Sequence, residues 1–466
     1  MTAISSAGDR KHRRGSKVPL LPQKRDDRDY DDCQSAEVGF DGASFSGAVF
    51  NLSTTIVGAG IMALPAILNQ LGLIPGLLMI LLGAWVTELS IDLVLRFGRA
   101  SKTSTSYSGV VADAFGGFAR TLLQVCIVVN NLGMLIVYLI IIGDVLAGTW
   151  SEGVHHSGLV EEWLGSHHWW TARSTLLLLT TFLVLGPLIS FKRVDSLRYT
   201  SALSVLLAVV FVVITAGVAI VKLAEGSIGM PRLMPQVKDQ ADFWKLFTTV
   251  PVIVTAYICH HNVHPIENEL KDPSQMKPIV RASLTLCSSV YIATSFFGVL
   301  LFGDKIMDDV LTNFDGDLGI PYSSLIDDIV RISYGVHLML VFPIVFYSLR
   351  LNLDGLFFPY AIPISRDNKR FFSITIALMG FIFVGANFVP NIWDAFQFTG
   401  ATAAVAVGFI FPAAIALSLS RNAHGIATKR DRVAAWLMLF LAVTTSTVAI
   451  CSDVYSILSP DSDITS

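Results

Sequence analysis

Apolar stretches long enough to cross a bilayer recur along almost the whole chain, and they restrict it to a helical membrane fold. Hydrophobic residues make up 53% of its 466 residues, and charged residues only 15%. A membrane-spanning helix needs about 20 mainly apolar residues, because the hydrocarbon core is about 30 Å thick. Windows of about 19 residues predict eleven spans, at 43–70, 73–97, 118–149, 172–191, 196–222, 243–267, 279–302, 325–349, 371–389, 392–420 and 433–457. We therefore predict an all-α integral membrane protein.

The distribution of basic residues predicts the orientation of these spans. With a cytosolic N-terminus, the tail 1–42 holds eight Lys and Arg and the five cytosolic connections hold eighteen, against seven on or near the opposite side. Cytosolic loops of membrane proteins carry such an excess. The tail is charged and poorly hydrophobic, so we expect it to be disordered. A transmembrane domain at 43–458 follows, and we expect the short tail 459–466 in the lumen.

Composition and motifs exclude several classes of function. The formal net charge is −3 and no basic cluster is present, which argues against nucleic acid as a partner. We find no nucleophile–base pair, metal-ligand spacing or phosphate-binding loop, so we predict no enzyme, cofactor or metal site. Four histidines, His155, His156, His167 and His168, share one far-side loop. They could sense pH or bind a metal, but we expect them to lie at the membrane interface.

The first span is built to interrupt its own helix. The segment FNLSTTIVGAGIMALP at 50–65 places Gly58 and Gly60 mid-span, with Pro65 soon after. Glycine weakens a helix by about 1 kcal/mol relative to alanine, and backbone released inside a bilayer must line a cavity. An interruption around Val57–Gly60 would offer amides for a carboxylate and carbonyls for an ammonium group. The alternative is a surface of small residues for close helix packing.

The sixth span repeats this pattern in the segment ICHHNVHPIENEL at 258–270. His260, His264 and Glu267 follow at i, i+4 and i+7, which places them on one face of a helix. Ionisable residues inside a membrane usually face a cavity or a proton relay, and histidine titrates near neutral pH. We therefore predict His260 and His264 as candidates for proton coupling, and we expect Glu267 at the cytosolic interface.

The two irregular spans occupy corresponding positions in two blocks of five spans, 43–222 and 243–420. Paired irregular segments in two halves indicate a transporter with an inverted repeat. The last span, 433–457, is then an extra helix. Of the remaining polar residues within spans, His337 is a third candidate for coupling, whereas Asn130 and its neighbour more often join helices.

The first and sixth spans together resemble the amino acid/auxin permease family. The matching stretches are FNLSTTIVGAGIMALP at 50–65, YLIIIGD at 138–144 and ICHHNVHPIENEL at 258–270. Within this family the chain looks most like plant vacuolar amino acid transporters, which are similar to animal sodium-coupled neutral amino acid transporters. The resemblance implies a LeuT-like fold of 5+5 inverted repeats, with the substrate between spans one and six and beside spans three and eight.

With these two spans as the site, the candidate substrate contacts are Thr54, Thr55, Val57, Gly58, Ala59, Gly60, Ile61, Asn130, Thr255, Tyr257 and His260. We expect the substrate carboxylate near the N–H groups of Gly60 and Ile61. We expect its amino group near Thr55 and the backbone of Thr255–Tyr257.

The resemblance also bears on the coupling ion. Sodium-coupled relatives usually carry Asn where Thr54 stands, and hydroxyl side chains where Met339 and Val341 precede Pro343. Methionine and valine offer sodium no oxygen ligand. We therefore predict an amino acid transporter that is proton-coupled or exports from the vacuole, working by alternating access in the lipid bilayer. The alternatives are a sodium-coupled neutral amino acid symporter at the plasma membrane, and an amino-acid sensor that signals through its cytosolic tail.

The resemblance makes the vacuolar membrane the expected location, ahead of the plasma membrane. Leu20 and Leu21 in the tail resemble a dileucine sorting signal, although Ser16 and Lys17 stand where an acidic residue is usual. A chance pair of leucines in a disordered tail is the alternative.

Overall fold

The computed structural model describes residues 42–101, 106–151, 154–165, 168–238, 240–314, 318–388, 399–422 and 428–458. Residues 1–41, His167 and 459–466, on which several sequence predictions fall, lie outside these ranges. The first half contains α1 (Phe45–Ile56), α2 (Gly60–Leu71), α3 (Leu73–Ser101), α4 (Tyr107–Phe115), α5 (Gly117–Ala147), α6 (Leu159–Leu164), α7 (Arg173–Thr180), α8 (Gly186–Ile189) and α9 (Arg198–Ala224). The π-helical segment Thr181–Leu185 joins α7 to α8.

The second half contains α10 (Gln240–Tyr257), α11 (His260–Glu269), α12 (Met276–Phe302), α13 (Ser323–Phe357), α14 (Asn368–Phe388), α15 (Phe411–Asn422) and α16 (Lys429–Leu458). Two π-helical segments, Gly400–Ala404 and Ala406–Ile410, lead into α15. The strands β1 (Gly148–Ser151) and β2 (Val154–Ser157) form an antiparallel hairpin after α5. Short 3₁₀ turns lie at Trp169–Thr171, Asp195–Leu197, Pro273–Gln275, Gly303–Lys305, Val310–Phe314 and Ile364–Arg366.

The helices are those of a multi-pass membrane protein. Within the described residues, nine are long and apolar enough to cross a membrane, and the bent pair α1–α2 is a tenth candidate. The segment Arg173–Ile189, formed by α7 and α8, is apolar but shorter. These segments overlap the predicted spans in the residues that the structure describes. The number eleven and the two repeats remain predictions.

Both irregular spans are interrupted, but to different degrees. The axes of α1 and α2 differ by 56°, the one bend above 40° at a short break among the described helices. α10 and α11 are separated by Ile258 and Cys259 alone and still count as a single span, Phe243–Glu269. The second interruption therefore releases backbone groups without redirecting the helix as strongly as the first.

The core lies where these interrupted spans meet the long straight helices. α13 packs against α5 and α9, and α12 packs against α1, α2 and α9. The largest fully buried side chains include four tyrosines, Tyr138, Tyr257, Tyr291 and Tyr334. A buried tyrosine needs a partner for its hydroxyl, so polar groups must lie within this apolar core.

One side of the membrane domain carries α4, and we call it the α4 face; the sequence predicts that it is cytosolic. There the Ala43 N–H donates to the Glu269 carbonyl at 2.6 Å, and the Lys271 N–H donates to the Ala43 carbonyl at 3.3 Å. The Glu269 carboxylate also accepts N–H groups of Val194 at 3.0 Å and Asp195 at 2.6 Å. The start of α1, the end of α11 and the entry to α9 are thus joined at this face.

The opposite side carries β1 and β2, and we call it the hairpin face. Arg173 pairs with Asp144, and Arg331 pairs with Glu162 at 2.8 Å. A cavity of about 30 Å³ between α5, the hairpin and α13 is lined by Asp144, Arg331 and Asp309 among others. Ion pairs therefore close this face, and the cavity beside them is lined by charged side chains.

Asp309 carries an unusual proton affinity in this cavity. Burial, with the nearby charges of Asp144 and Asp308, raises its pKa to about 7, although the Leu311 N–H donates to it at 2.9 Å and lowers the pKa. An aspartate in an unfolded chain has a pKa of about 3.9. The folded protein therefore binds this proton more tightly, and stability falls as pH rises from about 4 to about 7.

We expect Asp309→Asn to raise the thermal midpoint at pH 8 by roughly 2–4 °C, because the variant has no carboxylate to bury. The difference from wild type should shrink as pH falls and vanish near pH 4. Thermal unfolding of purified protein between pH 4 and 8 measures it. Glu225→Gln, at an exposed position, is the control. An equal shift at every pH would contradict this origin.

Candidate functional site

The first interruption covers Val57, Gly58 and Ala59. Val57 has extended backbone angles, φ −79° and ψ 93°, so the ladder of α1 stops there. The Ile61 N–H donates to the Gly58 carbonyl at 3.3 Å, and the Met62 N–H donates to the Ala59 carbonyl at 3.1 Å. The first turn of α2 uses the Ile61 amide in this conformation. The expectation that the amides of Gly60 and Ile61 bind a substrate carboxylate stays a prediction.

Phenol hydroxyls from two neighbouring helices hold this turn. A Cβ at Gly58 would collide with the hydroxyl of Tyr138 on α5, so glycine makes room for that group. The backbone N–H of Ala59 also faces this hydroxyl. On the other side, Tyr334 of α13 donates to the Gly58 carbonyl at 3.1 Å. The turn thus finds its partners within the protein, as backbone inside a bilayer must.

The second interruption lies beside the first. Ile258 and Cys259 leave the helix, and Cys259 has φ −138° and ψ 1°. A Cβ added at Gly60 would lie 2.9 Å from the Cα of Ala256. Because no side chain fits between them, the start of α2 and the end of α10 are in backbone contact.

A single side chain, Tyr291 of α12, contacts both interruptions. Its hydroxyl lies 2.7 Å from the Ile56 carbonyl oxygen and 2.6 Å from the Ala256 carbonyl oxygen. These carbonyls belong to the last turns of α1 and α10, where no following helical amide is available. Tyr291 is 0% exposed, so its hydroxyl supplies a partner that water cannot.

A small cavity lies between the two interruptions, α5 and α13. Its volume is about 10 Å³, close to the roughly 10–15 Å³ that one water molecule needs. Its lining residues are Thr55, Ile56, Gly60, Asn130, Asn131, Met134, Tyr138, Thr255, Ala256, Ile258, His261 and Val345. None of these is Asp, Glu, Lys or Arg. The wall that the structure describes is therefore polar but uncharged.

Three side chains of this wall hold polar atoms without a hydrogen-bond partner. They are Nδ1 and Nε2 of His261, Oδ1 of Asn130 and Nδ2 of Asn131. The two asparagines use their other amide atoms on each other, at 3.0 Å. His261 is 5% exposed, and both asparagines are more deeply buried. Buried polar groups in proteins normally have partners, so these atoms indicate a place for a polar ligand.

The structure brings some of the candidate contacts to this cavity and not others. Thr55, Gly60, Asn130 and Thr255 line it. The candidates outside its lining are Thr54, Val57, Gly58, Ala59, Ile61, Tyr257 and His260.

Two of the excluded side chains face other helices. The Thr54 hydroxyl donates to the Ser201 carbonyl of α9 at 3.0 Å. The Tyr257 hydroxyl lies 2.9 Å from the hydroxyl of Ser288 on α12. Both hydroxyls therefore link helices and are turned away from the cavity.

The histidines of α11 are divided between two faces. His260 and His264 share a face, as the periodicity predicts, but this face is turned towards α3 and α4. The His260 Nε2 lies 2.9 Å from the Ser90 hydroxyl, and His264 stacks on Tyr107 with ring centroids 6.2 Å apart. His261, about 100° further around the helix, faces the cavity instead.

The main residues of this wall that sequence reasoning did not select are His261, Asn131, Met134, Tyr138 and Val345. Tyr138 lies in the YLIIIGD stretch, so the resemblance already included its position without assigning it a role. His261 could have been found by asking which histidine of the segment lies off the face that His260 and His264 share. Met134 and Val345 carry no such signal, because apolar side chains in a span give no indication of what they face.

His337 of α13 lies next to the first interruption. Its Nδ1 is 2.8 Å from the Ser204 carbonyl oxygen, and its ring also faces the backbone of Val57. Its Nε2 has no hydrogen-bond partner, and its ring stacks on Tyr334 with centroids 5.3 Å apart. A carbonyl only accepts hydrogen bonds, so Nδ1 carries the hydrogen and Nε2 is open to a proton.

The described residues contain no group of three His, Cys, Asp or Glu side chains that could hold a metal ion. The arrangement offers backbone dipoles, amides, hydroxyls and the imidazole of His261 at a neutral cavity. Such groups can bind a small polar molecule and exchange protons.

Known sequences match the chain over nearly all of its length. The family described as "Transmembrane amino acid transporter protein" matches residues 41–452. Amino acid transporter AVT6A of Arabidopsis thaliana is 58% identical over 443 residues, which cover 94% of this chain and 93% of that protein. Amino acid transporter AVT6B of the same plant is 60% identical over 420 residues, covering 90% and 91%. Solute carrier family 38 member 10 of Rattus norvegicus is 26% identical, over 87% of this chain and 36% of its own length.

Solved structures share the fold at low identity. MhsT in complex with L-phenylalanine superposes with a TM-score of 0.59 and 14% identity, covering 88% of this chain and 99% of that one. A Na⁺-coupled sialic acid symporter in a substrate-bound outward-open state gives 0.55 and 11%, covering 89% and 90%. The prediction of a LeuT-like transporter fold is thereby confirmed.

The family match and the plant relatives confirm the resemblance that the first and sixth spans indicate. The plant relatives are named amino acid transporters, and the family is not one of enzymes. The chain therefore belongs to the transmembrane amino acid transporter family.

Proposed function

We propose that this protein is a secondary active transporter that moves amino acids by alternating access around the interrupted spans α1–α2 and α10–α11. The supporting observation is the cavity between the two interruptions. Its wall is uncharged, yet His261, Asn130 and Asn131 hold polar atoms without partners. A zwitterionic amino acid has no net charge and brings both donors and acceptors, so it can satisfy such atoms without burying an unpaired net charge.

Transport in this scheme requires the cavity to expand. At about 10 Å³ it has room for about one water molecule, so an amino acid enters only when α1–α2 and α10–α11 separate from α5 and α13. The backbone bonds at Ala43 close the α4 face, and ion pairs such as Arg331–Glu162 close the hairpin face. When the bonds at the α4 face break and those at the hairpin face stay, the cavity opens to the α4 side. The reverse opens it to the hairpin side.

We further propose that His337 couples this movement to protons. Its Nε2 is open to a proton beside the interruption of the first span. A proton there creates a second N–H donor, which can bond to the Val57 carbonyl. Protonation would therefore add a contact between α13 and the interrupted turn, and this contact would favour one arrangement of the turn over the other.

Sodium coupling, the alternative, has less support from the same region. The Thr54 hydroxyl donates to a carbonyl of α9, and the His337 ring is hydrogen-bonded to the Ser204 carbonyl. These oxygens are therefore already in use. On α13, Met339 and Val341 place hydrocarbon and thioether side chains where a sodium ion would need oxygen ligands.

For the location we propose the vacuolar membrane, with the α4 face in the cytosol and export from the lumen as the main direction. The excess of Lys and Arg on the connections of that face supports the orientation. A fluorescently tagged chain that accumulates at the plasma membrane would contradict this location.

We expect purified protein in liposomes to take up labelled amino acids, because the cavity offers partners for a zwitterion. An inwardly or outwardly directed pH gradient should drive accumulation, and replacing sodium with choline should leave the rate unchanged. A panel of the twenty standard amino acids, in protein-free and protein-containing liposomes, measures this. Uptake of none of them would refute the proposed function, and strict dependence on sodium would refute proton coupling.

We expect His337→Gln to lose accumulation driven by a pH gradient while it still equilibrates labelled substrate, because glutamine donates a hydrogen bond but does not titrate. The loss should be on the order of tenfold or more in the steady-state gradient, since about 1.4 kcal/mol of lost coupling corresponds to a factor of ten. His264→Gln is the matched control, since it removes another buried histidine that lies away from the interruption. Loss of coupling in the control alone would reassign the proton to α11.

A further inference from the structure

The hydroxyl of Tyr291 contacts both interruptions, which indicates a role in transport besides substrate binding. We propose that this hydroxyl is a positioning group that satisfies the Ala256 carbonyl in the contracted conformation, and releases it to the substrate's ammonium group in the expanded one. The proposal rests on the proposed alternating access. It implies that Tyr291 allows the carrier to reorient without substrate.

The geometry leaves one hydrogen for two acceptors. The hydroxyl lies within 2.7 Å of the carbonyl oxygens of both Ile56 and Ala256, but a phenol carries only one hydrogen. Ile56 has a second donor, because the Gly58 N–H reaches its carbonyl at 3.0 Å. The Ala256 carbonyl therefore has the greater need for the Tyr291 hydrogen. Ala256 also lines the cavity.

Besides Tyr291, α12 has, in the described part of the chain, one side-chain hydrogen bond to α10, between the hydroxyls of Ser288 and Tyr257 at 2.9 Å, and two to α1. The Ser283 hydroxyl donates to the Val49 carbonyl at 3.1 Å, and the Cys287 thiol donates to the Ser53 carbonyl at 3.6 Å. With Tyr291 these donors follow at intervals of four residues, so they lie on one face of α12. When α10 moves away, Tyr291 stays with α1 and the Ala256 carbonyl loses its donor.

An ammonium group is the donor that can replace it. It carries three N–H donors and a positive charge, and the end of a helix favours positive charge. The expanded cavity admits such a group, whereas the contracted cavity of about 10 Å³ does not. The Ala256 carbonyl therefore has a donor in both conformations, from the protein in one and from the substrate in the other.

Removal of the Tyr291 hydroxyl should act on the two conformations unequally. In the contracted conformation Ala256 would keep a buried carbonyl without a partner, which is costly away from water. In the expanded, loaded conformation the substrate would still satisfy it. Reorientation without substrate would slow, and reorientation with substrate would not.

The test compares net uptake with exchange in liposomes containing Tyr291→Phe. In net uptake the carrier must return without substrate. In exchange against excess unlabelled substrate it carries substrate in both directions. We expect net uptake to fall on the order of tenfold, the scale of one buried hydrogen bond, and exchange to stay at the wild-type rate. Intact exchange also shows that the variant is folded.

Tyr107→Phe is the matched control. Its hydroxyl donates to the Val407 carbonyl at 2.7 Å, and the side chain is also buried, in contact with neither interruption in the hydrogen bonds described. We expect both of its rates to be unchanged. Equal loss of net uptake and exchange in Tyr291→Phe, no loss of either, or failure of this variant to fold would each overturn the proposal. A wild-type protein that carries out neither process would instead refute the proposed function.

Discussion

Backbone groups that leave a helix inside a bilayer must find partners from the protein itself, and this requirement organises the centre of the molecule. The two interruptions release carbonyls and amides that water cannot reach. Hydroxyls of Tyr138, Tyr291 and Tyr334 reach them from three different helices. Each tyrosine combines an apolar ring, which suits the core, with a single polar atom at a long reach. The helices around the site are therefore positioned by contacts to interrupted backbone as well as by apolar packing.

Much of the architecture could be predicted from the sequence because its causes are local. Apolar length decides where a helix can cross a membrane, and Gly58 and Gly60 decide where the first span stops. The observed interruption at 57–59 falls within the predicted segment. The weaker bend of the sixth span was not predictable in the same way. This span lies against α2, where Gly60 meets Ala256 without a side chain between them, and no local pattern gives that tertiary contact.

The site itself was less accessible from sequence, since helical periodicity gives faces but not neighbours. It places His260 and His264 together, yet it cannot tell whether their face meets α3 or the cavity. The structure turns that face towards Ser90, and His261 faces the cavity. The contacts of Tyr291 are a second example, because residues 56, 256 and 291 are far apart in the chain. No local pattern relates them, so only the tertiary arrangement shows their association.

The bridge between Ala43 and Leu270 has a consequence for the timing of movement. It consists of main-chain bonds at the α4 face, so water can replace each of them once the two segments part. Protein-to-water exchange of this kind changes the free energy little. Such a pair of bonds fixes the position of the two segments relative to each other, but it adds little to the free-energy barrier for opening. The rate at which the α4 face opens should therefore be set by the packing of side chains around the bridge.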